Sequence, residues 1–204
     1  YVMDGGDAYD ETRIWQPLGF DDRLFKPSKE NKIFDILFAG NIGKRYYDTR
    51  EAYLTILKHS KLCRKYRVGF VGSSSNVWQN RFRFMKGAIE WVSPNMKLKD
   101  YAEIISKSKL VINIHQDDGS QPVNPLFFAI PATGACQMAE SRHYLYHWMT
   151  PGIEYMNINE HDFIDKAEEL INDAERLTKI AVAGQRIAQK YSYTEIIKRM
   201  VSEL

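Results

Sequence analysis

The sequence has few cysteines, no long apolar run and almost no excess charge. Cys63 and Cys136 are its only thiols, and because they lack CxxC or metal-ligand spacing we expect both to be reduced, as in cytoplasmic proteins. No segment approaches the roughly 18 apolar residues of a membrane-spanning helix, and the acidic start YVMDGGDAYDE is unlike a signal peptide. A net charge of +2 does not indicate nucleic acid or an anionic membrane as a partner. We therefore expect a cytoplasmic protein that neither spans a membrane nor binds nucleic acid.

Two common nucleotide-binding signatures are also missing. The loop AGNIGKR contains Gly40 and Gly43 but neither the G-x-G-x-x-G of dinucleotide-binding proteins nor the G-K-[ST] of a Walker loop. The second predicted strand ends in FVGSSSN, without the acidic residue that binds the ribose of NAD. These absences argue against hydride transfer and against P-loop chemistry.

What the sequence does contain is enough apolar material for a core, and a regular alternation of strand and helix patterns. Its 204 residues are 44% apolar and 26% charged, which is typical of a globular domain. Residues 1–32 contain Gly and Pro without periodicity, and we interpret them as an irregular connector. The remaining residues, 33–204, form the predicted domain. The predicted strands are 33–40, 66–74, 88–92, 110–115, 135–140 and 153–158, and the predicted helices are 48–63, 97–109 and 162–204, the last with a break near 190–192.

Strands that are apolar on both faces and separated by helices predict a parallel sheet with helices on both faces. Right-handed crossovers then give a Rossmann-like, doubly wound α/β fold. Ligands of such sheets bind beyond the carboxyl ends of the strands, where the strand order reverses. The residues at the predicted ends are Gly40-Asn41, Gly72-Ser73-Ser74, Val92-Ser93, His115-Gln116 and Glu140.

Basic residues follow the first strand. Lys44, Arg45 and Arg50 lie around the start of the next predicted helix, and Gly40 allows a ligand to approach the backbone closely. Cations beside a helix start favour a diphosphate site. A solvated basic face explains the same three residues, so from the residues alone both interpretations stay open.

Four segments carry a family resemblance. FAGNIGKRYYDTR resembles the FVGN…R segment of glycosyltransferases similar to the spore maturation protein CgeB, and WQPLGFDDRLFKP looks like the connector between their two halves. NPLFFAIPATGACQMAE resembles their N-x-R-x-F-E-x-P-A-C-G-A-x-x-x-x-E signature, and LVINIHQDDG resembles the strand that precedes it. The resemblance covers nearly the whole chain, in order. It implies the C-terminal, nucleotide-sugar-binding half of a GT-B glycosyltransferase.

The resemblance also implies a reaction and its partners. A sugar would pass from a nucleoside diphosphate to a hydroxyl of a glycan, protein or small molecule, without a metal or other cofactor. The acceptor would be bound by an N-terminal half missing here, so we expect this chain alone to be a poor catalyst, and its catalytic residues stay unassigned. The predicted donor-binding residues are Gly40, Asn41, Arg45, Arg50, Ser73, Val92, Ser93, His115, Asn124, Pro125, Phe128 and Glu140.

Two departures from the family pattern leave an alternative open. Leu126 stands where the family has Arg, and Ala129 where it has Glu. Losing one charged hydrogen bond costs about 1.5–3 kcal/mol, although the basic residues after Gly40 and the carboxylate of Glu140 are candidate replacements. The alternative is a degenerate, non-catalytic GT-B half that acts as a binding or interaction module. We expect such a module to expose an apolar patch around Leu126, Phe127 and Ala129. A third reading is another nucleotide-using Rossmann-like enzyme.

Three histidines and an acidic pair are further candidates for a functional role, and each has an ordinary structural interpretation. His115 either binds a sugar or phosphate oxygen or is a satisfied histidine at a strand end. Asp117-Asp118 is typical of a turn and only weakly indicates a metal site. His143 and His147 are four residues apart, and without a third ligand we interpret them as part of a helix surface.

Overall fold

The computed structural model describes residues 18–43, 48–73, 89–92, 96–115 and 123–202. Within these ranges one parallel sheet has the strand order β3-β2-β1-β4-β5-β6. The order reverses between β1 and β4, which is the doubly wound arrangement predicted from the sequence. The strands are β1 (Phe34–Ala39), β2 (Val68–Val71), β3 (Ile89–Trp91), β4 (Ser108–Asn113), β5 (Cys136–Glu140) and β6 (Met156–Ile158).

Helices cover both faces of this sheet. The helices in the described ranges are α1 (Asp48–His59), α2 (Leu62–Lys65), α3 (Leu98–Ser106), α4 (Leu126–Ala132), α5 (Phe163–Asn172), α6 (Ala174–Ala188) and α7 (Tyr193–Ser202). Short 3₁₀ helices span His143–His147 and Gln189–Tyr191. The predicted break near 190–192 is therefore confirmed. The histidines at 143 and 147 are exposed on a 3₁₀ helix around the buried Leu145, which agrees with the predicted helix surface.

The structure corrects several predicted boundaries, two of them because a polar side chain bonds to the nearby backbone. The helix predicted over 48–63 is interrupted at Ser60, whose hydroxyl donates to the carbonyl of Leu57 and accepts from the N–H of Leu62. An unpredicted break lies at Asp173, whose carboxylate caps α6 by accepting from the N–H of Arg176 at 2.9 Å. β4 begins at Ser108, two residues before the predicted strand, because Ser108 is in register with Phe34 of β1.

Both faces of the sheet are buried, which explains why the strands are almost continuously apolar. In β1, Ile36 and Phe38 belong to one core layer, while Leu37 and Ala39 belong to the other. The first layer is completed by α1 and α5, with residues such as Leu54, Leu57, Phe163 and Leu170. The second is completed by α3 and α4, with residues such as Ala102, Ile105, Phe127 and Ile130.

The described part of the connector packs on the domain. Phe20 forms an isolated bridge with Ser192, and its carbonyl accepts from the N–H of Tyr193 at 2.9 Å. Phe20 and Phe25 are both buried and meet edge to face. This segment is irregular between residues 18 and 32, as predicted, and the domain boundary at 32/33 stays a prediction.

Candidate functional site

The carboxyl ends of β1 and β2 are in backbone contact. Gly72 approaches Gly40 so closely that a Cβ atom at residue 72 would overlap the Gly40 carbonyl. The amide oxygen of Asn41 accepts from the N–H of Ser73 at 2.9 Å, and the N–H of Ile42 donates to the Ser73 carbonyl at 2.9 Å. The structure therefore brings together three of the predicted site residues, Gly40, Asn41 and Ser73.

Arg50 lies across the point where the strand order reverses. It comes from the first turn of α1 and is only 8% exposed. Its Nε donates to the carbonyl of Ile114 at 2.6 Å, just beyond β4, and its Nη1 donates to the carbonyl of Asn41 at 3.2 Å, just beyond β1. A Cβ atom on Gly40 would lie 3.6 Å from the Arg50 side chain. A guanidinium is always charged in proteins, so this residue is a fixed buried cation at the switch point, and a solvated face does not describe it.

Glu140 ends β5 beside the end of β4. Its Oε1 accepts from the backbone N–H of His115 at 2.7 Å and from Nε of Arg142 at 2.7 Å. The Nδ1 of His115 lies 3.1 Å from the same oxygen, but it is not aligned for a hydrogen bond. Burial alone would raise the pKa of Glu140. Its interactions with His115, including the backbone N–H, and with Arg142 together outweigh burial and lower that pKa.

Glu140, His115 and Tyr155 each have a buried polar atom that lacks a hydrogen-bond partner among the described residues. His115 is 2% exposed and Glu140 6% exposed. Among the described residues, neither Oε2 of Glu140 nor Nε2 of His115 has a hydrogen-bond partner. The hydroxyl of Tyr155, also fully buried, has none there either.

Asn124 orients the start of α4. Its Oδ1 accepts from the N–H of Phe127 at 3.2 Å, and its amide pairs reciprocally with the buried amide of Asn113 at 3.2 and 3.4 Å. Pro125 follows directly and leads into the helix. This side chain thus couples the carboxyl end of β4 to α4.

The remaining candidates are spread more widely. Phe128 is fully buried, with its ring centroid 4.2 Å from that of Tyr191 and 6.1 Å from that of Trp148. Packing in the core therefore explains the presence of an aromatic residue at this position. Val92 follows β3, and its N–H donates to the carbonyl of Phe70 at 3.0 Å. Arg45 and Ser93 lie outside the described residues, as does the Asp117-Asp118 pair.

The apolar patch expected of an interaction module is not present at α4. Phe127 is 0% exposed and Ala129 is 1% exposed, and Leu126 is only partly exposed. Ala129 is therefore part of the core, and Leu126 packs against it.

Sequence reasoning missed Arg142 and Asn113. Asn113 was visible as one polar residue in the apolar run LVINIH, which is a signal of a buried, bonded amide. Arg142 lies two residues beyond Glu140, and no sequence pattern predicted that its side chain would point toward that carboxylate.

Two features are absent from the described ranges. They contain no group of three or more His, Cys, Asp or Glu side chains able to hold a metal ion. No helix found there has the length and apolar content required to cross a bilayer.

The structure is similar to solved glycosyltransferase structures. HepE of Anabaena, solved in complex with UDP and glucose, has a TM-score of 0.72 and 15% identity, over 98% of this chain and 57% of that one. Sucrose-phosphate synthase from Thermosynechococcus elongatus has a TM-score of 0.69 and 12% identity, over 93% and 51% of the two chains. The C-terminal domain of LpcC, a glycosyl transferase group 1 family protein from Francisella tularensis, has a TM-score of 0.63 and 14% identity, over 86% and 100%. The fold is therefore that of one half of a GT-B enzyme.

The chain spans just over half the length of HepE and about half that of the synthase, and it covers the whole of the separate C-terminal domain. No curated protein sequence matches it. A family model described as glycosyl transferase-like does match, over residues 50–202. Because that match covers most of the chain, the protein belongs to this glycosyl transferase-like family.

Proposed function

We propose that this chain is the donor-binding half of a glycosyltransferase, similar to the CgeB group, and that it binds a nucleoside-diphosphate sugar at the carboxyl edge of its sheet. The observation that carries the proposal is the buried Arg50 guanidinium, held by carbonyls of both sheet halves at the switch point. HepE, which has the same fold, was solved with UDP and glucose, and this supports a ligand of that class.

Arg50 is suited to the diphosphate of such a donor. A cation inside a protein interacts more strongly with an anion than a cation in water does. A Cβ atom on Gly40 would lie 3.6 Å from this side chain, so a phosphate placed against Gly40 would be close to the guanidinium. Arg45, outside the described residues, is the second proposed phosphate ligand.

The proposed reaction needs this charge at the leaving group. The bond between the anomeric carbon and the phosphate oxygen breaks, and negative charge develops on the departing nucleoside diphosphate. A preorganised positive group stabilises that charge without the cost of reorganising solvent. The sugar carbon forms its new bond to the acceptor hydroxyl, whose proton leaves to a base or to solvent. We propose that a guanidinium supplies the charge, with no metal required.

The acceptor half and the compartment are also part of the proposal. Since the chain corresponds to about half the length of two structural neighbours, we propose that another half binds the acceptor and contributes the base. Both free cysteines are buried, and burial raises the pKa of Cys63 to about 11, so these thiols are unreactive. Such reduced thiols support a cytoplasmic location.

The test is ligand-dependent thermal unfolding of the chain with UDP, GDP, ADP, CDP and dTDP. A ligand at 100 times its Kd stabilises by about 2.7 kcal/mol, so we expect one diphosphate to raise Tm by several degrees. Arg50→Gln should weaken that ligand at least tenfold, by calorimetry, and Arg50→Lys should weaken it less.

The matched control is Arg67→Gln. Arg67 precedes β2, at the opposite edge of the sheet, and pairs with Glu90 on the surface. This variant should keep its affinity within about twofold, because exposed pairs contribute little. If no diphosphate shifts Tm at millimolar concentration, donor binding by this chain is refuted, and the non-catalytic interaction module becomes the better function.

A further inference from the structure

A surface rich in ring-bearing side chains follows β5 almost directly. Leu145 is the buried residue of the 3₁₀ helix His143–His147, and the other four side chains of this helix, all with rings, are exposed or partly exposed. Tyr146 is 39% exposed, so packing in the core does not explain its ring. We call these four residues, together with the exposed Ser141, the aromatic surface.

Hydrogen bonds and ring contacts hold the aromatic surface at the carboxyl edge of the sheet. The N–H of Ser141 donates to the carbonyl of the last residue of β6 at 2.8 Å. The hydroxyl oxygens of Ser141 and Tyr146 are 2.7 Å apart, and the ring centroids of Tyr146 and His143 are 5.5 Å apart. The ring of Tyr144 meets that of His115, just beyond β4, edge to face at 6.1 Å. The rings are therefore fixed beside the ends of three strands.

The charge of this region restricts its partner. Residues 143–153 contain no Asp, Glu, Lys or Arg, in a sequence of which 26% is charged. Arg142 precedes them, but its Nε pairs with Glu140 at 2.7 Å. Phosphates, nucleic acids and anionic lipid surfaces are bound by clustered cations. The aromatic surface therefore matches a neutral partner.

A sugar ring is a neutral partner with complementary chemistry. One face of a pyranose presents C–H groups, whose slightly positive hydrogens pack on the negative face of an aromatic ring. Its hydroxyls can donate to and accept from the hydroxyls of Tyr146 and Ser141 and the imidazole nitrogens of His143. An apolar partner would leave these polar groups without hydrogen bonds, which is unfavourable. The combination of rings and polar groups thus favours a saccharide.

We propose that the aromatic surface binds a pyranose ring of the acceptor, and that the acceptor is therefore a glycan. This inference rests on the proposed glycosyl transfer, and it selects one acceptor class among glycan, protein and small molecule. The acceptor hydroxyl must reach the anomeric carbon of a donor bound at the carboxyl edge of the sheet. Ser141 directly follows the end of β5 at that edge, so the surface can hold one ring of the acceptor while the other half binds the rest.

The experiment is an NMR titration of the isotope-labelled whole chain with maltose, cellobiose, lactose and N,N′-diacetylchitobiose, and separately with UDP, GDP, ADP, CDP and dTDP. We expect at least one disaccharide to bind and to shift the amide signals of residues 141–148. Tyr146→Ala should weaken that disaccharide about tenfold, because the stacking ring is lost. Tyr146→Phe keeps the ring and should weaken it only about twofold. Neither variant should change the affinity for the nucleoside diphosphate that binds.

The matched control is Tyr193→Ala. Tyr193 is 47% exposed, similar to Tyr146, but it lies at the start of α7. Its substitution should change neither the disaccharide affinity nor the diphosphate affinity, and Tm of each variant checks that it is folded.

The remaining outcomes separate this inference from donor binding. If a diphosphate binds but no disaccharide does, or if Tyr146→Ala weakens no disaccharide, the glycan surface is overturned while donor binding stands. If Tyr146→Ala weakens the diphosphate as much as the disaccharide, the surface belongs to the donor site and its assignment to the acceptor is overturned. If a disaccharide binds through Tyr146 and no diphosphate binds, saccharide recognition is supported and donor binding is overturned. Absence of both overturns both proposals.

Discussion

The two halves of the sheet use their polar groups differently at the carboxyl edge. On the β1–β2 side the loops bond to one another, through Asn41 and Ser73, and Arg50 is anchored to carbonyls. On the β4–β6 side, the buried side chains of His115 and Glu140 each retain an atom without a hydrogen-bond partner in the described residues, as do Gln137 and Tyr155 nearer the amino ends of β5 and β6. One side is cationic and internally bonded, and the other carries a carboxylate with unused bonding capacity.

This difference bears on the proposed donor. A charged diphosphate requires a fixed cation whose position does not change on binding, because preorganisation is what makes such a charge effective. We infer that the β1–β2 side, with Arg50, supplies most of the affinity for the nucleoside diphosphate.

The largest expected effect comes from breaking the contact between the β1 and β2 loops. In Gly72→Ala the new Cβ atom would overlap the backbone carbonyl of Gly40, so one loop must move. We expect a loss of about 3 kcal/mol in the free energy of unfolding, measured with urea. Nucleotide affinity should fall as well, since Asn41 and Arg50 depend on this loop.

A second glycine provides the control for that experiment. Gly152 has a φ of +78°, but a Cβ atom there would meet nothing within 4 Å. Gly152→Ala should therefore cost only the backbone strain, about 1 kcal/mol, and leave binding unchanged. Equal losses in the two variants would mean that strain, and not the loop contact, dominates at residue 72.

The next effect concerns the amide pair that joins β4 to α4. Asn124→Ala removes the cap on the N–H of Phe127 and leaves the buried amide of Asn113 without its partner. We expect a loss of about 2 kcal/mol from the combined cap and hydrogen bond, together with weaker binding of the ligand.

Asp173→Ala tests the contribution of capping alone. Asp173 caps α6, and the loss of an N-cap costs about 1 kcal/mol. Ligand affinity should be unchanged in this variant. If Asn124→Ala costs no more than Asp173→Ala, the pair with Asn113 adds nothing to stability.

The charge of Glu140 can be tested by acid. Its pKa in the folded chain is lowered, and such a carboxyl contributes stability that is complete above its unfolded pKa and is lost as the pH falls through its folded pKa. Between neutral pH and about pH 3 we expect the wild type to lose about 1.5 kcal/mol more than Glu140→Gln, the size of a charged hydrogen bond. Parallel losses in the two proteins would show that Glu140 is not held ionised by His115 and Arg142.

The overall fold was predictable because it depends on local patterns. Runs such as LVINIH are apolar on both faces, and parallel strands buried between helices require that pattern. The strand ends were predictable for the same reason, since Gly40 and Glu140 directly follow or end such runs. The predicted strand order reversal is confirmed between β1 and β4.

The site was less predictable because its contacts are distant in sequence. Arg50 and Ile114 are 64 positions apart, so no local pattern distinguishes this buried arginine from the solvated basic face that the sequence also allowed. The side chain of Arg142 points toward the end of β5 because it donates to the carboxylate of Glu140. The break at Asp173 was missed because an aspartate inside an apparently continuous helical pattern acts instead as the cap of a new helix.

The smallest expected effect concerns Tyr155, on the β6 side of the comparison. Its buried hydroxyl has no partner in the described residues, and its ring meets that of Phe127 edge to face at 5.2 Å. Tyr155→Phe should leave the free energy of unfolding unchanged or raise it by about 0.5 kcal/mol, because an unpaired buried group is costly. Tyr66→Phe is the control with a bonded hydroxyl, which reaches Asn172 at 3.0 Å, and it should lose about 0.5 kcal/mol. If Tyr155→Phe is the more destabilised of the two, its hydroxyl is already bonded to buried water.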